Sequence, residues 1–196
     1  MKQMIHFAAD KDLTTFDGGL QLVAYKHLST GLAISQMPPC KQYVVPLQQH
    51  IGAISQALVK PGDCVLKGQM LAKPGDLISA AIHAPVSGIV TDIKKMDVPH
   101  VSGLQDQCFI IENDFEDKWI ERTPLGDDYN QNTSSSLRKT ICEAGIVGLG
   151  GAAFPSSVKQ TEINIKTLIL NGVECEPYIS CDDVLTREYA EQILAG

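Results

Sequence analysis

Between residues 40 and about 120 the chain alternates short apolar runs with turn formers. The runs lie at residues 43–47, 57–59, 64–66, 70–72, 80–83, 89–93 and 108–111. Pro61-Gly62-Asp63, Lys67-Gly68, Lys73-Pro74-Gly75-Asp76, Ala84-Pro85 and Ser87-Gly88 interrupt them. Runs this short, punctuated this regularly, predict a small all-β unit. Ahead of it, residues 1–39 show weak periodicity and turn signals at Asp17-Gly18-Gly19, His27-Leu28-Ser29 and Pro38-Pro39, so they read as an extended arm. Residues 112–134 are rich in Pro, Gly, Asn and acidic positions. They predict a connecting stretch, with the linker proper at 121–134 and Trp119 packing it onto a domain.

From residue 135 the period changes. SSSLRKTICEAG predicts a helix with a serine N-cap, apolar Leu137, Ile141 and Ala144 on one face, and Gly145 as the stop. A Gly-rich loop follows, with a second short helix from Pro155. Residues 167–170 are fully apolar and predict a strand ending at Asn171-Gly172. DDVLTREYAEQILAG predicts a last helix: Ser180 and Asp183 fit a capping box, and Leu185, Tyr189 and Ile193 recur every four residues. One strand between helices makes no sheet. Residues 135–196 therefore read as the opening of a larger, truncated α/β domain. The fold class expected is α+β in two domains.

Charge and cysteine usage narrow the function. The 196 residues carry a net charge of −7 and show no basic stripe, which argues against nucleic acid as a partner. No apolar run approaches the roughly 18 residues of a membrane helix, and the N-terminus is too polar for a signal peptide. A cytosolic chain is expected, able to sit on a membrane through a partner. The six cysteines are widely spaced, with no CxxC, and the five histidines show no ligand spacing. Free thiols are expected, and no metal site is assigned.

Two stretches carry candidate chemistry. In GLGGAAFPSSVK, residues 148–159, Gly148, Gly150 and Gly151 allow close backbone approach. Lys159 can reach a phosphate, and Phe154 can lie against a flat ring. A Gly-rich loop feeding a helix is an anion site. The spacing matches neither a dinucleotide fingerprint, which should follow a strand, nor a P-loop. A phosphate cradle and a tight helix–helix turn both remain open. In NGVECEPY, residues 171–178, Asn171 sits at the end of the apolar run, and Glu174 and Glu176 share one face of an extended segment. Two such carboxylates can accept hydrogen bonds from ribityl or ribose hydroxyls; a solvated acidic loop is the alternative. Cys175 lies between two carboxylates, surroundings unlike the electropositive ones that activate a thiol, which argues against a nucleophile. No catalytic residue is assigned.

Residues 59–90 resemble the biotinyl/lipoyl-like barrel-sandwich family through Gly62-Asp63, Gly68-Gln69, Ala84-Pro85 and Gly88 followed by Val90. The resemblance implies a barrel-sandwich hybrid over 40–120. Its carrier members hold a lysine where this chain has Leu77, so the carrier chemistry is not expected.

Taken in order, FDGGLQL (16–22), KHLS (26–29), VVPLQQHIG (44–52), HAPVSG (83–88), GLGGAAFPSSVK and LILNGVECEPYISCDD (168–183) resemble the RnfC family, a component of the Rnf, or Rsx, electron transport complex. The two C-terminal motifs are shared more loosely with the flavin- and NADH-binding subunit of respiratory complex I. The resemblance implies a barrel-sandwich domain, then a complex-I-like nucleotide-binding domain over 135–196, with FMN and NAD(H) as cofactors. It implies 4Fe-4S clusters only in a C-terminal region absent here. Gly148, Gly150, Gly151 and Ala152 would wrap the flavin, Phe154 and Lys159 would lie near the nicotinamide nucleotide, and Asn171, Glu174 and Glu176 would contact either. Partners implied are the other subunits of a membrane complex, and ferredoxin or a redox regulator, at the cytoplasmic face of the inner membrane. The family's usual Gly-Ala-Gly-Phe-Pro-Thr carries Ala153 for its last glycine and Ser156 for threonine. Its usual Gly-Gly-Ile-His-Pro-Pro-Glu is Gly18-Gly19-Leu20-Gln21-Leu22-Val23-Ala24 here. The alternative from another class is a non-catalytic docking or assembly module with an incomplete nucleotide site.

Overall fold

The computed structural model describes residues 22–100, 102–126, 128–160 and 166–195. The Asp17-Gly18-Gly19 turn lies outside them. The α+β class holds: seven strands precede four helices among the described residues. The chain divides into two compact units, one of residues 37–166 and one joining the segment up to residue 36 with the segment from 167 onward.

The larger unit holds all the strands: β1 (Gln42–Pro46), β2 (Gln56–Ala57), β3 (Cys64–Val65), β4 (Met70–Lys73), β5 (Ile82–His83), β6 (Gly88–Asp97) and β7 (Gln105–Asn113). They form a four-stranded sheet in the order β1-β7-β6-β3 and a three-stranded sheet in the order β2-β4-β5, all neighbours antiparallel. Inward positions of both sheets meet in one core. Val45, Val65, Leu71, Ala72, Ile82, Val90, Phe109 and Ile111 pack there, with Tyr43 and Ile93 at its margin. Alternation explains β6, where Gly88 and Val90 are buried and Ile89 and Thr91 exposed. Strand β7 buries Cys108 to Ile111 on both faces, so its centre reads as a continuous apolar run. The β6–β7 ladder runs on to Asp97 and Gln105, beyond the apolar runs that announce it. Backbone pairing carries the ladder through Lys94, Lys95 and Asp97 although these side chains are polar.

A buried polar network ties two loops of this unit together. The Ala80 N–H donates to His50 Nε2 at 3.1 Å, so that nitrogen is unprotonated and the ring proton sits on Nδ1, 3.1 Å from the Ile51 carbonyl. Ser55 Oγ donates to the Ala80 carbonyl at 2.8 Å. Ser79 Oγ accepts from the Gly75 N–H and donates to the Ala53 carbonyl, both at 2.9 Å. The network stitches the turn between β4 and β5 onto residues 50–55. Leu77, 81% exposed, stands on that turn where a carrier would hold its lysine. A turn fastened in this way is also ill suited to swing. The segment after β7 folds back onto the barrel: the Lys67 N–H donates to the Lys118 carbonyl, and the Trp119 ring lies near both Lys67 and Arg122, at 4.8 and 4.4 Å. The packing role expected of Trp119 is thus met.

Helix α1 (Ser134–Glu143) belongs to the same unit, as does the single turn α2 (Ser156–Lys159). The N-cap of α1 is Thr133 rather than a serine; its Oγ1 accepts the Ser136 N–H at 3.2 Å. Both residue types cap by the same hydroxyl chemistry, so the sequence alone does not fix the register. The C-terminal end of α1 docks on β5. The Ala81 N–H donates to the Cys142 carbonyl at 3.1 Å, and Cys142 Sγ lies 3.4 Å from the Ser79 carbonyl. Gly145 takes φ 71° and reverses the chain, as expected of the helix stop.

In the second unit, α3 (Cys181–Glu188) and α4 (Ala190–Ala195) divide what the sequence predicts as one helix. The break falls at Tyr189, φ −129°. Ser180 makes no capping bond; its hydroxyl meets Ser29 Oγ at 2.6 Å instead. Residues 167–170 form no strand among the described residues, and Leu168, Ile169 and Leu170 are exposed. An apolar run supplies strand propensity, but a strand exists only through a partner.

Candidate functional site

The Gly-rich stretch is a hairpin. Val147 bridges Pro155, the Gly148 N–H donates to the Phe154 carbonyl at 2.9 Å, and the Ser156 N–H donates to the Ile146 carbonyl at 3.0 Å. Residues 149–153 form its tip. Their five consecutive N–H groups find no acceptor among the described residues. Around Gly150 and Gly151 a Cβ would meet nothing within 4 Å, so the backbone there is open to a ligand. Lys159 lies at the base of the hairpin: its ammonium stands 5.5 Å from the Phe154 ring centroid and 3.8 Å from where a Cβ on Gly148 would be. No carboxylate of a described residue pairs with it. The hairpin is held in place by the Ile51 N–H, which donates to the Ala153 carbonyl at 3.2 Å.

This arrangement gathers Gly148, Gly150, Gly151, Ala152, Phe154 and Lys159 into one turn of chain. It offers a row of backbone donors, a cation and an aromatic face, which is the donor set for a phosphate joined to a flat ring. The donors come from the loop; α2 is only four residues long and adds little dipole. Ala153 departs from the expected pattern at a telling place, since its φ is 46°. That left-handed region favours glycine, so alanine here carries backbone strain. Its methyl is accommodated, with the residue half-buried.

Asn171, Glu174 and Glu176 lie in the other unit. Asn171 Oδ1 accepts the Val173 N–H at 2.9 Å, shaping the turn. Glu176 is exposed. Glu174 is not: its side chain is 1% exposed and both oxygens are engaged. Oε2 pairs with the Lys26 ammonium, and Oε1 accepts the Asp182 N–H at 2.8 Å. The bond from Lys26 holds its carboxyl below the usual carboxylate range, with the Asp182 N–H adding to this against the cost of burial. Glu174, Cys181 and Asp182 bring their donor atoms within 4.8 Å of one another at the start of α3. Because Glu174 is already committed to Lys26 and to the helix, the cluster reads as a cap. Sequence reasoning missed Lys26 as a site-related residue. The only hint was a lysine opening the KHLS motif, 148 positions away.

The two facing sheets define a barrel-sandwich protein, followed by an open Gly-rich hairpin. Comparison with known proteins matches two successive domains. Residues 14–116 match the RnfC barrel sandwich hybrid domain, and residues 141–196 match the Nuo51 FMN-binding domain. The chain belongs to the RnfC family. An ion-translocating oxidoreductase complex subunit of this family from Pseudomonas aeruginosa is 46% identical over 187 residues, covering 94% of this chain and 24% of that protein. The subunit of the same name from Serratia proteamaculans is 45% identical over 194 residues, 97% of this chain and 27% of that protein. That from Rhodobacter capsulatus is 44% identical over 182 residues, 91% of this chain and 35% of that protein. The chain thus spans between about a quarter and a third of the length of these relatives. No helix among the described residues is long and apolar enough to cross a membrane.

Proposed function

We propose that this chain supplies the FMN-phosphate cradle of an oxidoreductase subunit that exchanges electrons with NAD(H). The observation that carries the reading is the hairpin tip. Five adjacent N–H groups have no acceptor among the described residues, on a loop whose glycines leave the backbone open, and the Lys159 ammonium stands by Gly148 and Phe154 at its base. The N–H groups of residues 149–153 hold the phosphate, Lys159 neutralises it, and Phe154 shields one face of the ring. Bound FMN supplies the exchange between a hydride pair and single electrons. In this reading 4Fe-4S clusters lie elsewhere in the protein and receive those electrons. The relatives are named as subunits of an ion-translocating complex. By extension the partners are membrane subunits and a ferredoxin or redox regulator, and the chain docks at the cytoplasmic face of the inner membrane.

The test is a pair of titrations, FMN and riboflavin, followed by flavin fluorescence. A phosphate cradle binds FMN more tightly than riboflavin, and Lys159→Ala narrows the gap. Equal affinity for both flavins refutes the cradle. Binding of neither favours the second reading, a docking or assembly module. The supporting observation for that reading is a complete barrel whose β4–β5 turn bears Leu77 in place of a carrier lysine.

A further inference from the structure

Among the described residues, two backbone hydrogen bonds fasten the stretch from α1 to the hairpin tip onto the barrel. At its entry the Ala81 N–H donates to the Cys142 carbonyl at 3.1 Å, and at its tip the Ile51 N–H donates to the Ala153 carbonyl at 3.2 Å. One buried imidazole joins these two anchors. His50, 5% exposed, precedes Ile51 in the chain. Its Nε2 accepts the N–H of Ala80, the residue before Ala81, at 3.1 Å, and its Nδ1–H donates to the Ile51 carbonyl at 3.1 Å. The segment around the ring has little freedom. The Gln48 side-chain amide donates to the His50 and Gly52 carbonyls at 3.3 and 3.2 Å. The Ala53 N–H donates to the Ile78 carbonyl at 2.9 Å, and a Cβ on Gly52 would stand 2.2 Å from that same oxygen. What this frame holds is strained. Ala153 has φ 46°, a left-handed conformation that a residue with a side chain keeps only where its surroundings enforce it. Loss of the ring would leave the Ala80 N–H and the Ile51 carbonyl without the partner that spaces them.

We propose that His50 is a positioning residue for the Gly-rich hairpin: its ring fixes Ile51 relative to Ala80, and Ile51 in turn holds Ala153 in the left-handed turn that shapes the row of N–H groups at residues 149–153. This rests on the FMN reading above and deepens it, because it makes the barrel, through a residue that touches no ligand, part of what shapes the phosphate site. Every group in this chain of bonds belongs to the larger unit, residues 37–166. Glycine takes a positive φ without enforcement, so the clamp and the Ala153 methyl are coupled: His50 matters because position 153 is an alanine.

Amide hydrogen exchange and FMN titration on wild type, His50→Ala, Ala153→Gly and the double variant test the coupling. His50→Ala is expected to speed exchange of the Ile51 and Gly148 amides at least about tenfold while β7 stays protected as the internal reference. It should weaken FMN binding about tenfold. With Ala153→Gly in place, removing His50 should change Gly148 exchange and FMN affinity less than about threefold. If β7 loses its protection in His50→Ala, His50→Gln, which fills the site but gives up the Nδ1–H donor, takes its place in the same cycle. Unchanged exchange at Ile51 overturns the clamp. Equal losses of FMN affinity and of Gly148 protection in both backgrounds make His50 a structural residue of the barrel alone and overturn the positioning role. Failure of the wild type to bind FMN would refute the cradle instead, and Gly148 exchange in the two backgrounds would still decide whether His50 holds the hairpin.

Discussion

Replacing Gly145 by alanine adds a methyl group where α1 meets the barrel, and the cost can be worked out from two contributions. The first is conformational. Gly145 has φ 71°, and an L-residue in that region loses ~1 kcal/mol or somewhat more. Part of this is returned, about 0.4–1 kcal/mol, because alanine restricts the unfolded chain. The second is steric. The new Cβ would stand 2.5 Å from the Ala81 carbonyl oxygen and 3.3 Å from His83 Nδ1. A backbone carbonyl cannot swing aside, so α1 must lift from β5, weakening the bond from the Ala81 N–H to Cys142. Overpacking of this kind costs ~1–3 kcal/mol. The net loss is ~2 kcal/mol, or about 4–8 °C in Tm for a chain of this size. Gly103→Ala isolates the first contribution: its φ is 64°, but no heavy atom lies within 4 Å of its Cβ position. Thermal melts of both variants, with amide exchange at Ala81, separate the two effects. Gly103→Ala should lose less than ~1 kcal/mol. Equal Tm losses, with Ala81 equally protected in both, would refute the docking of α1 on β5.

Other perturbations probe different parts of the fold. Phe109→Ala empties the centre of the sandwich, where the side chain is fully buried. A loss of ~3–5 kcal/mol is expected by denaturant titration, and a loss under ~1 kcal/mol would contradict the packing. Ala153→Gly relieves the strain at φ 46° and should stabilise modestly, by about 0.5 kcal/mol, since glycine gives back chain entropy. A destabilised variant would show that the methyl packs usefully. Burial pushes the His83 imidazole below its ordinary value of 6.5, against a bond to the Glu143 carbonyl that raises it. As pH falls, the unfolded chain therefore binds a proton first. Stability is greatest above pH 6.5 and falls as pH drops through the window between 6.5 and the lower folded value. His83→Gln should flatten that part of a stability–pH curve, and an unchanged slope would remove His83 as its cause.

The strands were legible because the turn formers are unambiguous and the inward positions are apolar. The ends of the β6–β7 ladder were not, because Lys94, Lys95 and Asp97 are polar and pair there through the backbone, the Asp97 carboxylate also accepting from the Gln105 side-chain amide. Residues 167–170 resemble a strand for a reason that is only half of what a strand needs: an apolar run states a preference, and partners come from elsewhere in a protein. The last helix breaks at Tyr189 despite a continuous four-residue period, since a side-chain period does not fix the backbone angles of any one residue within it. Within the candidate site, GLGGAAFP announced a Gly-rich turn, but the hairpin that closes it through Val147 and Pro155 was not readable, since that pairing is made by backbone. Nor was the fate of the two glutamates. Glu174 and Glu176 are equivalent by spacing, and only a lysine 148 positions before Glu174 distinguishes them. Ser180, read as a cap, is likewise taken up by a residue of the N-terminal segment, Ser29.

Titration of the chain with FMN and with riboflavin, in wild type and Lys159→Ala, bears most directly on the flavin cradle. Tighter binding of FMN than of riboflavin, with the difference shrinking when the ammonium is removed, is the expected result. Identical affinities for the two flavins, or a difference indifferent to Lys159, would contradict a phosphate site at the hairpin tip.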